Sequence, residues 1–314
     1  MKIIGIGETV LDVIFRNDQP EAAVPGGSTF NSMISLGRTL RNTGNEIPVM
    51  MVTETGDDHI GDIIVSFMEA NGVSTEAVTR NRGTQTHVSM AFLNDRNDAE
   101  YEFYKDHAHA CLKEDTLADI DFKPDDIVLF GSFFAINPKI RKNTQRLLKA
   151  AHDAGATLYY DVNFRRNHIA DLPETMANIV ENCSLSTFVR GSDEDFGFLF
   201  GTSDPETVYR DHIAALCPNF ICTCGNGPVH VFTPDFHGKY EVEKIETVST
   251  IGAGDNFNAG FIFGLITDKL SLAQDMQKSL TAHSWEKYVR IACQFSSNVC
   301  RSMYNYVDNE FKPV

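Results

Sequence analysis

Thr250-Ile251-Gly252-Ala253-Gly254-Asp255 is the stretch on which the reading of this chain turns. It follows an alternating run, Tyr240 to Val248, that reads as a strand, and it precedes Phe257, Phe261, Gly264 and Leu265, which share one face at helical spacing. Three tiny residues and a carboxylate therefore sit where a strand is expected to hand over to a helix. Such a turn exposes backbone N–H groups at the positive end of the helix. Without bulky side chains, an anion approaches those groups closely. An aspartate beside an anion hole repels the anion. It makes sense if Asp255 takes a proton from a hydroxyl that then attacks a phosphorus held by the hole. The alternative is that Asp255 caps the helix and the glycines serve tight strand–helix packing.

The bulk properties bound what surrounds this turn. The chain has 314 residues, 42% hydrophobic and 22% charged, an ordinary balance for a soluble globular protein with ample core. The net charge of −16 argues against nonspecific nucleic-acid binding, which needs a basic face to neutralise phosphates. It leaves room for a small anionic nucleotide in a locally positive site. The seven cysteines are an odd number and most fall in apolar runs. Cys222 and Cys224 are one residue apart, not the two typical of zinc or redox pairs, and read as core. Met1-Lys2 leads straight into an apolar strand, and no run approaches a membrane span. A reducing, cytoplasmic setting with no membrane partner is the expectation.

Strand-like and helix-like segments alternate along most of the chain. Strands are expected at Ile3–Gly7, Pro48–Thr53, Asp126–Phe130, Thr157–Tyr160, Ser186–Val189, Phe220–Thr223 and Val229–Thr233. Helices are expected at Ser28–Thr43, Asp58–Asn71, Pro138–Ala154, Tyr209–Leu216, Gly254–Thr267 and Trp285–Cys300. The alternation implies βαβ units, hence an α/β fold with a doubly wound, mostly parallel sheet in a single domain spanning 1–314. Thr9–Phe15 and the pair His87–Leu93 and Glu100–Lys105 break the pattern. They read as a small separate sheet, contributed by about 9–18 and 85–110, that either closes over a ligand or extends the main sheet.

In open α/β sheets ligands bind beyond the carboxyl ends of the strands. The unusual residues collect there: Gly7, Glu8 and Asp12; Gly131 and Ser132; Asp161, Asn163 and Arg165; Arg190 and Ser192; Gly225 and Gly227. Gly26-Gly27-Ser28-Thr29-Phe30-Asn31 is a second glycine-rich entry to a helix, with Ser28 as a good N-cap and Asn31 able to donate to and accept from hydroxyls. Competing motifs fail. No glycine is followed by Lys and then Ser or Thr, so there is no P-loop. Gly5-Ile6-Gly7 opens like a dinucleotide fingerprint, but Val10 stands where its third glycine belongs. There is no Gly-x-Ser-x-Gly elbow. His107 and His109 lack a nearby third ligand.

Taken together, these motifs resemble the ribokinase-like (PfkB) carbohydrate kinases over nearly the whole chain. The matching stretches are Gly7-Glu8…Asp12, Gly26-Gly27…Asn31, Gly56-Asp57-Asp58-His59-Ile60-Gly61 and Ser249 to Asp255. Glu102-Phe103-Tyr104-Lys105 and Asp161-Val162-Asn163-Phe164-Arg165 are most similar to fructokinases and 2-keto-3-deoxygluconate kinases. The resemblance implies an ATP-dependent kinase acting on a sugar hydroxyl, most simply fructose, with Mg²⁺ bridging phosphate oxygens and a β-sheet lid that also offers a homodimer surface. A sugar acid, a nucleoside, or a sensor role without turnover are the alternatives. It implies Asp255 as general base and the Gly252, Ala253 and Gly254 amides as anion hole. On the sugar side it implies Asp12, Gly26, Gly27, Asn31, Tyr104, Lys105, Asp161, Asn163 and Arg165. On the nucleotide side it implies Arg190, Ser192, Thr223, Gly225 and Gly227, with Asp195 toward the metal.

The chain departs from the family pattern at several of these positions. Ser249 replaces an aspartate that helps arrange a monovalent-cation site in relatives, which puts potassium dependence in question. The family's Asn-x-x-Glu reads Ser192-Asp193-Glu194-Asp195, a lysine before it is Arg190, and the lid arginine is Lys105. The second glycine of the nucleotide loop comes one place early, at Gly227.

Overall fold

The computed structural model describes residues 1–93, 99–104, 117–267 and 280–314. Its strands are β1 (Ile3–Ile6), β2 (Val10–Arg16), β3 (Gln19–Gly26), β4 (Val49–Gly56), β5 (Val73–Ser74), β6 (Val78–Asn81), β7 (Val88–Leu93), β8 (Ala99–Tyr104), β9 (Ile127–Gly131), β10 (Thr157–Asp161), β11 (Phe188–Ser192), β12 (Phe220–Thr223), β13 (Val229–Thr233) and β14 (Phe236–Tyr240). The helices of the described residues are α1 (Ser28–Asn42), α2 (His59–Ala70), α3 (Ser132–Ile136), α4 (Arg141–Asp153), α5 (Leu172–Leu185), α6 (Asp193–Phe200), α7 (Pro205–Val208), α8 (Ala253–Thr267) and α9 (Ala282–Cys300).

The main sheet runs β14-β13-β12-β11-β10-β9-β1-β4-β5, with β6 also paired to β4. Every pairing from β12 to β5 is parallel, and β13 and β14 close one edge as an antiparallel pair. The parallel strands are buried on both faces: β1, β9 and β10 have no exposed residue, as apolar runs flanked by helix-length segments require. The chain leaves β1 toward β4 on one side and returns to β9 on the other. The strand order reverses at β1, so the crevice beyond the β1 and β9 carboxyl ends is the topological switch point.

A second sheet of order β3-β2-β7-β8 stands apart from the first. The break in alternation at Thr9–Phe15 and at the 87–105 pair marks its β2, β7 and β8. Its fourth strand, β3, was not expected. Residues 94–98 at the hairpin tip, and Lys105, His107, His109 and Cys111, lie outside the described residues.

Local readings need three corrections. Tyr240–Val248 is not a strand: β14 ends at Tyr240, and the chain continues without a ladder until the Val248 N–H meets the Cys300 carbonyl at 2.8 Å. Asp255 is therefore reached from a loop. Tyr209–Leu216 is not an α-helix but a π turn, Tyr209–Ile213, continuing α7. The helices α3, α5, α6 and α7 were missed.

The helix that carries Asp255 is central. All residues of α8 from Asp255 to Ile266 are buried, as expected for a helix apolar nearly all round. Its glycines let α9 approach. A Cβ on Gly260 would sit 2.6 Å from Ala292 Cα, and one on Gly264 2.9 Å from Tyr288 Cδ1.

Candidate active site

The first turn of α8 is built by exclusion of side-chain atoms. Gly252 has φ +76°, and a Cβ there would meet the Asn305 carbonyl oxygen at 2.8 Å. A Cβ on Gly254 would come within 3.0 Å of both guanidinium NH groups of Arg190. Ala253 N–H is partly engaged by Thr250 O at 3.2 Å. Ser249, 3% exposed, uses its Oγ to accept the Ile251 N–H at 3.2 Å and so shapes the loop from inside.

Asp255 is 7% exposed at this helix start. Its Oδ1 accepts the Ser28 hydroxyl at 2.7 Å and its Oδ2 the Asn31 amide at 2.8 Å, both from the first turn of α1. Ser28 was expected to cap α1. The N-cap is instead Gly27, with φ 123° and no side-chain cap bond, which frees the Ser28 hydroxyl for Asp255. Burial raises the Asp255 pKa above the usual aspartate value; the Asn31 and Ser28 bonds oppose this, nearby Asp161 adds to it, and Arg165 opposes it. Asn31 Oδ1 is buried without a hydrogen-bond partner.

Asp12 belongs to β2 and sits opposite Ser89 of β7, whose hydroxyl donates to its Oδ1. Its Oδ2 lies 3.4 Å from Asn305 Nδ2. Gly26 is required beside it, since a Cβ there would overlap the carboxylate, and a Cβ on Gly27 would overlap the Glu8 carbonyl. Burial pushes the Asp12 pKa up to about 6 against the Ser89 bond, and Glu8 and Asp255 push the same way. Asn305 thus touches Asp12 with its side chain while its carbonyl accepts Asn256 Nδ2 at 2.8 Å beneath Gly252.

Beneath α8 lies a buried ionic cluster. Asp161, 2% exposed, accepts Arg190 NH1 at 3.0 Å and Asn258 Nδ2 at 2.7 Å. Arg190, 5% exposed, also donates to Thr223 Oγ1 at 2.8 Å. Asp161 and Arg190, expected on the sugar and the nucleotide side, are thus paired with each other as well as with Asn258 and Thr223. Ser192 and Asp195, expected toward the nucleotide and the metal, are also paired. They form the reciprocal capping box of α6, Asp195 N–H to Ser192 Oγ at 3.1 Å and Ser192 N–H to Asp195 Oδ2 at 2.7 Å. The Ser-x-x-Asp spacing itself was the signal for that cap. No group of three or more His, Cys, Asp or Glu among the described residues could hold a metal ion by itself.

Asn163 (φ 36°) donates from Nδ2 to Ser132 Oγ at 2.7 Å, and Arg165 is exposed. Gly225 (φ 55°) and Gly227 form a turn after β12, in which Gly227 N–H meets Cys224 O at 2.7 Å. Tyr104 ends β8 and Lys105 follows it, so the side chains of both lie outside the described residues. Sequence reasoning missed Ser89, Asn258 and Asn305 as neighbours of the site. Asn258 was in view, one turn beyond Asp255, but nothing in the sequence signals Asn305.

The site thus places a buried carboxylate at a helix N-terminus, within electrostatic reach of a second buried carboxylate, Asp12, on a separate sheet. The model of the pfkB family carbohydrate kinases matches residues 2–310. The chain belongs to this family. A carbohydrate kinase is a phosphotransferase with a sugar hydroxyl as acceptor. Among relatives, probable fructokinase-2 of Arabidopsis thaliana is 25% identical over 88% of this chain and 84% of its own length. In fold, the chain is similar to the fructokinase of Vibrio cholerae solved with fructose, ADP and calcium ion (TM-score 0.81, 20% identity, 97% of this chain and 94% of that one). It is also similar to the fructokinase of Xylella fastidiosa solved with ATP (TM-score 0.76, 21% identity, 96% and 92%). No helix among the described residues of this carbohydrate kinase is long and apolar enough to cross a membrane.

Proposed function

We propose that this carbohydrate kinase transfers the γ-phosphoryl group of ATP to fructose, with Asp255 as general base. The observation that carries the reading is the Asp255 carboxylate, buried at the α8 N-terminus and held through both oxygens by Ser28 and Asn31. A carboxylate fixed so does not wander, and its raised pKa makes it a better proton acceptor than a solvated aspartate. Asp255 takes the proton from the sugar hydroxyl as that oxygen bonds to the γ-phosphorus. The bond from the γ-phosphorus to the bridging oxygen breaks, and ADP leaves. The amides of the first α8 turn and the helix dipole hold the charge on the transferring group.

Asp12 and the Gly27 backbone hold sugar hydroxyls, and the unpaired Asn31 Oδ1 is a ready acceptor for another. Arg165 approaches the sugar or the phosphate, and Thr223, Gly225 and Gly227 flank the nucleotide. The small sheet acts as a lid that keeps water from competing with the sugar. Magnesium supplies charge neutralisation on the phosphate oxygens. It commonly retains waters and uses only one or two protein carboxylates, and Asp195, implied toward the metal by the resemblance, would be the carboxylate to hold it.

The fructokinase name of the Arabidopsis relative, and the fructose and ADP in the Vibrio cholerae chain, support the choice of acceptor. The test is coupled ADP detection with Mg-ATP and fructose, 2-keto-3-deoxygluconate, ribose or adenosine, with and without potassium. Fructose is expected to be preferred. With Ser249 offering a hydroxyl already bonded to Ile251 N–H, potassium is expected to change little. Preference for the sugar acid would transfer the proposal to that substrate. Ligand-dependent thermal stabilisation with no ADP in any well would refute turnover.

A further inference from the structure

Four non-glycine residues of the described chain have positive φ. Asn17 and Asp18 make the turn between β2 and β3. The other two lie just beyond the carboxyl ends of neighbouring strands: Ser132 (φ 55°) after β9 and Asn163 (φ 36°) after β10. Such backbone is sparsely populated and persists where surrounding contacts hold it, commonly at functional sites. Asn tolerates this region; Ser is less suited to it.

The two residues hold each other. Asn163 Nδ2 donates to Ser132 Oγ at 2.7 Å. The strand ends beneath them are in register, Asp161 against Gly131, and a Cβ on Gly131 would overlap the Asp161 carbonyl. A second tie lies next to the first. The Phe133 ring stacks on His168 with centroids 3.9 Å apart and planes 7° apart. His168 N–H in turn donates to the Arg165 carbonyl at 2.9 Å. Arg165 is thus bracketed, with Asn163 tied down before it and His168 after it, both to the segment following β9. Its own side chain is exposed, and its charge is among those that act on Asp255.

We propose that the Ser132–Asn163 hydrogen bond, with the Phe133–His168 stack, is a clasp that positions Arg165 at the mouth of the site for phosphoryl transfer. Ser132 and Asn163 are then positioning residues that act through Arg165, and Asn163 is not a substrate contact. The physical logic is entropic. A long, exposed arginine loses much rotamer freedom when fixed on a ligand. Anchoring its backbone on both sides removes the additional cost of ordering the turn. The inference rests on the kinase reading above for the role of Arg165, but the clasp itself is measurable without turnover.

The experiment compares wild type, Ser132→Ala, Arg165→Gln and the double variant, with Asn163→Asp as the conservative partner swap. In Asn163→Asp the Ser132 hydroxyl donates to the new carboxylate, so the tie survives. Ser132→Ala is expected to lower kcat roughly 10- to 100-fold, the scale of a misplaced positioning group, with KM for nucleotide little changed. In the Arg165→Gln background the same substitution is expected to add nothing, and Asn163→Asp should retain most of the activity. Equal losses in both backgrounds, or no loss, would overturn the proposal. Hydrogen exchange of amides 162–168 supplies the readout without turnover: Ser132→Ala should speed exchange there and nowhere distant. Unchanged exchange would overturn the clasp even in an active enzyme. Faster local exchange in a protein that phosphorylates no sugar would leave the clasp standing and remove the kinase reading. Should Ser132→Ala fold poorly, Ser132→Gly removes the hydroxyl while relieving the positive φ, and the same outcomes apply.

Discussion

Asp255 works, on this account, because opposing influences leave its carboxylate buried yet usable. Burial raises its pKa, and the Asn31 and Ser28 bonds bring it part of the way down. A general base acts deprotonated, so activity is lost on the acid side of its pKa. Ser28→Ala removes one of the lowering bonds, and the acid limb of the kcat–pH profile is expected to move to higher pH. A limb that stays in place or moves to lower pH would contradict the assignment. Asp12 makes a prediction about stability. Its folded pKa of about 6 lies above that of an unfolded aspartate, 3.8. The folded state therefore holds the proton more tightly, and the associated stability is present at low pH and lost as pH rises toward 6 and beyond. Asp12→Asn should remove this slope. Relative to Asp12→Asn, the wild type is expected to lose about 2 kcal/mol between pH 4 and 7. Urea unfolding across that range checks it, and parallel pH profiles would contradict it.

At the scale of elements, the contact of α8 with α9 depends on glycine. Gly260→Ala puts a methyl 2.6 Å from Ala292 Cα and 3.0 Å from the Ile291 carbonyl, which are backbone atoms that cannot swing aside. Overpacking of this kind costs about 1–3 kcal/mol, and the urea midpoint should fall accordingly; an unchanged midpoint would show that the helices separate freely. The same scale shows what the sequence discloses. The parallel core was legible because β1, β9 and β10 are short apolar runs separated by helix-length segments, and the residues of the candidate site stood out because glycines and charges follow those runs. Tyr240–Val248 misled because alternation describes a strand's faces but does not supply a partner. There Val248 N–H goes to the end of α9 instead of a neighbouring strand. β3 escaped notice because Pro20 and Pro25 argue against a strand, yet an edge strand tolerates proline, and β3 is an edge. The Ser192–Asp195 spacing, matched to the family's Asn-x-x-Glu, also closes the cap of α6. The pairing of Arg190 with Asp161 and Thr223 was not legible because those partners are distant in sequence.

Across the whole molecule, the small sheet and the core meet at the site itself. Ile14 and Val24 of the small sheet pack against Ile251 of the anion loop and against Met303, and Asp12 reaches Asn305. Movement of this sheet would therefore be felt at the loop that leads to Asp255. The sheet ends in two strands, β3 and β8, each with one edge not paired among the described residues. Exposed edges invite pairing, and a homodimer through this sheet is expected, with light scattering at micromolar concentration giving twice the chain mass. A monomer mass would contradict it. The central claim is that a sugar kinase works through Asp255. Its most direct test is ADP formation from Mg-ATP and fructose by wild type and Asp255→Asn side by side, with fructose binding measured for both. The account predicts turnover by the wild type, a loss of roughly 10²- to 10⁴-fold in kcat for the variant, and fructose affinity largely retained. Equal rates in the two proteins would contradict it.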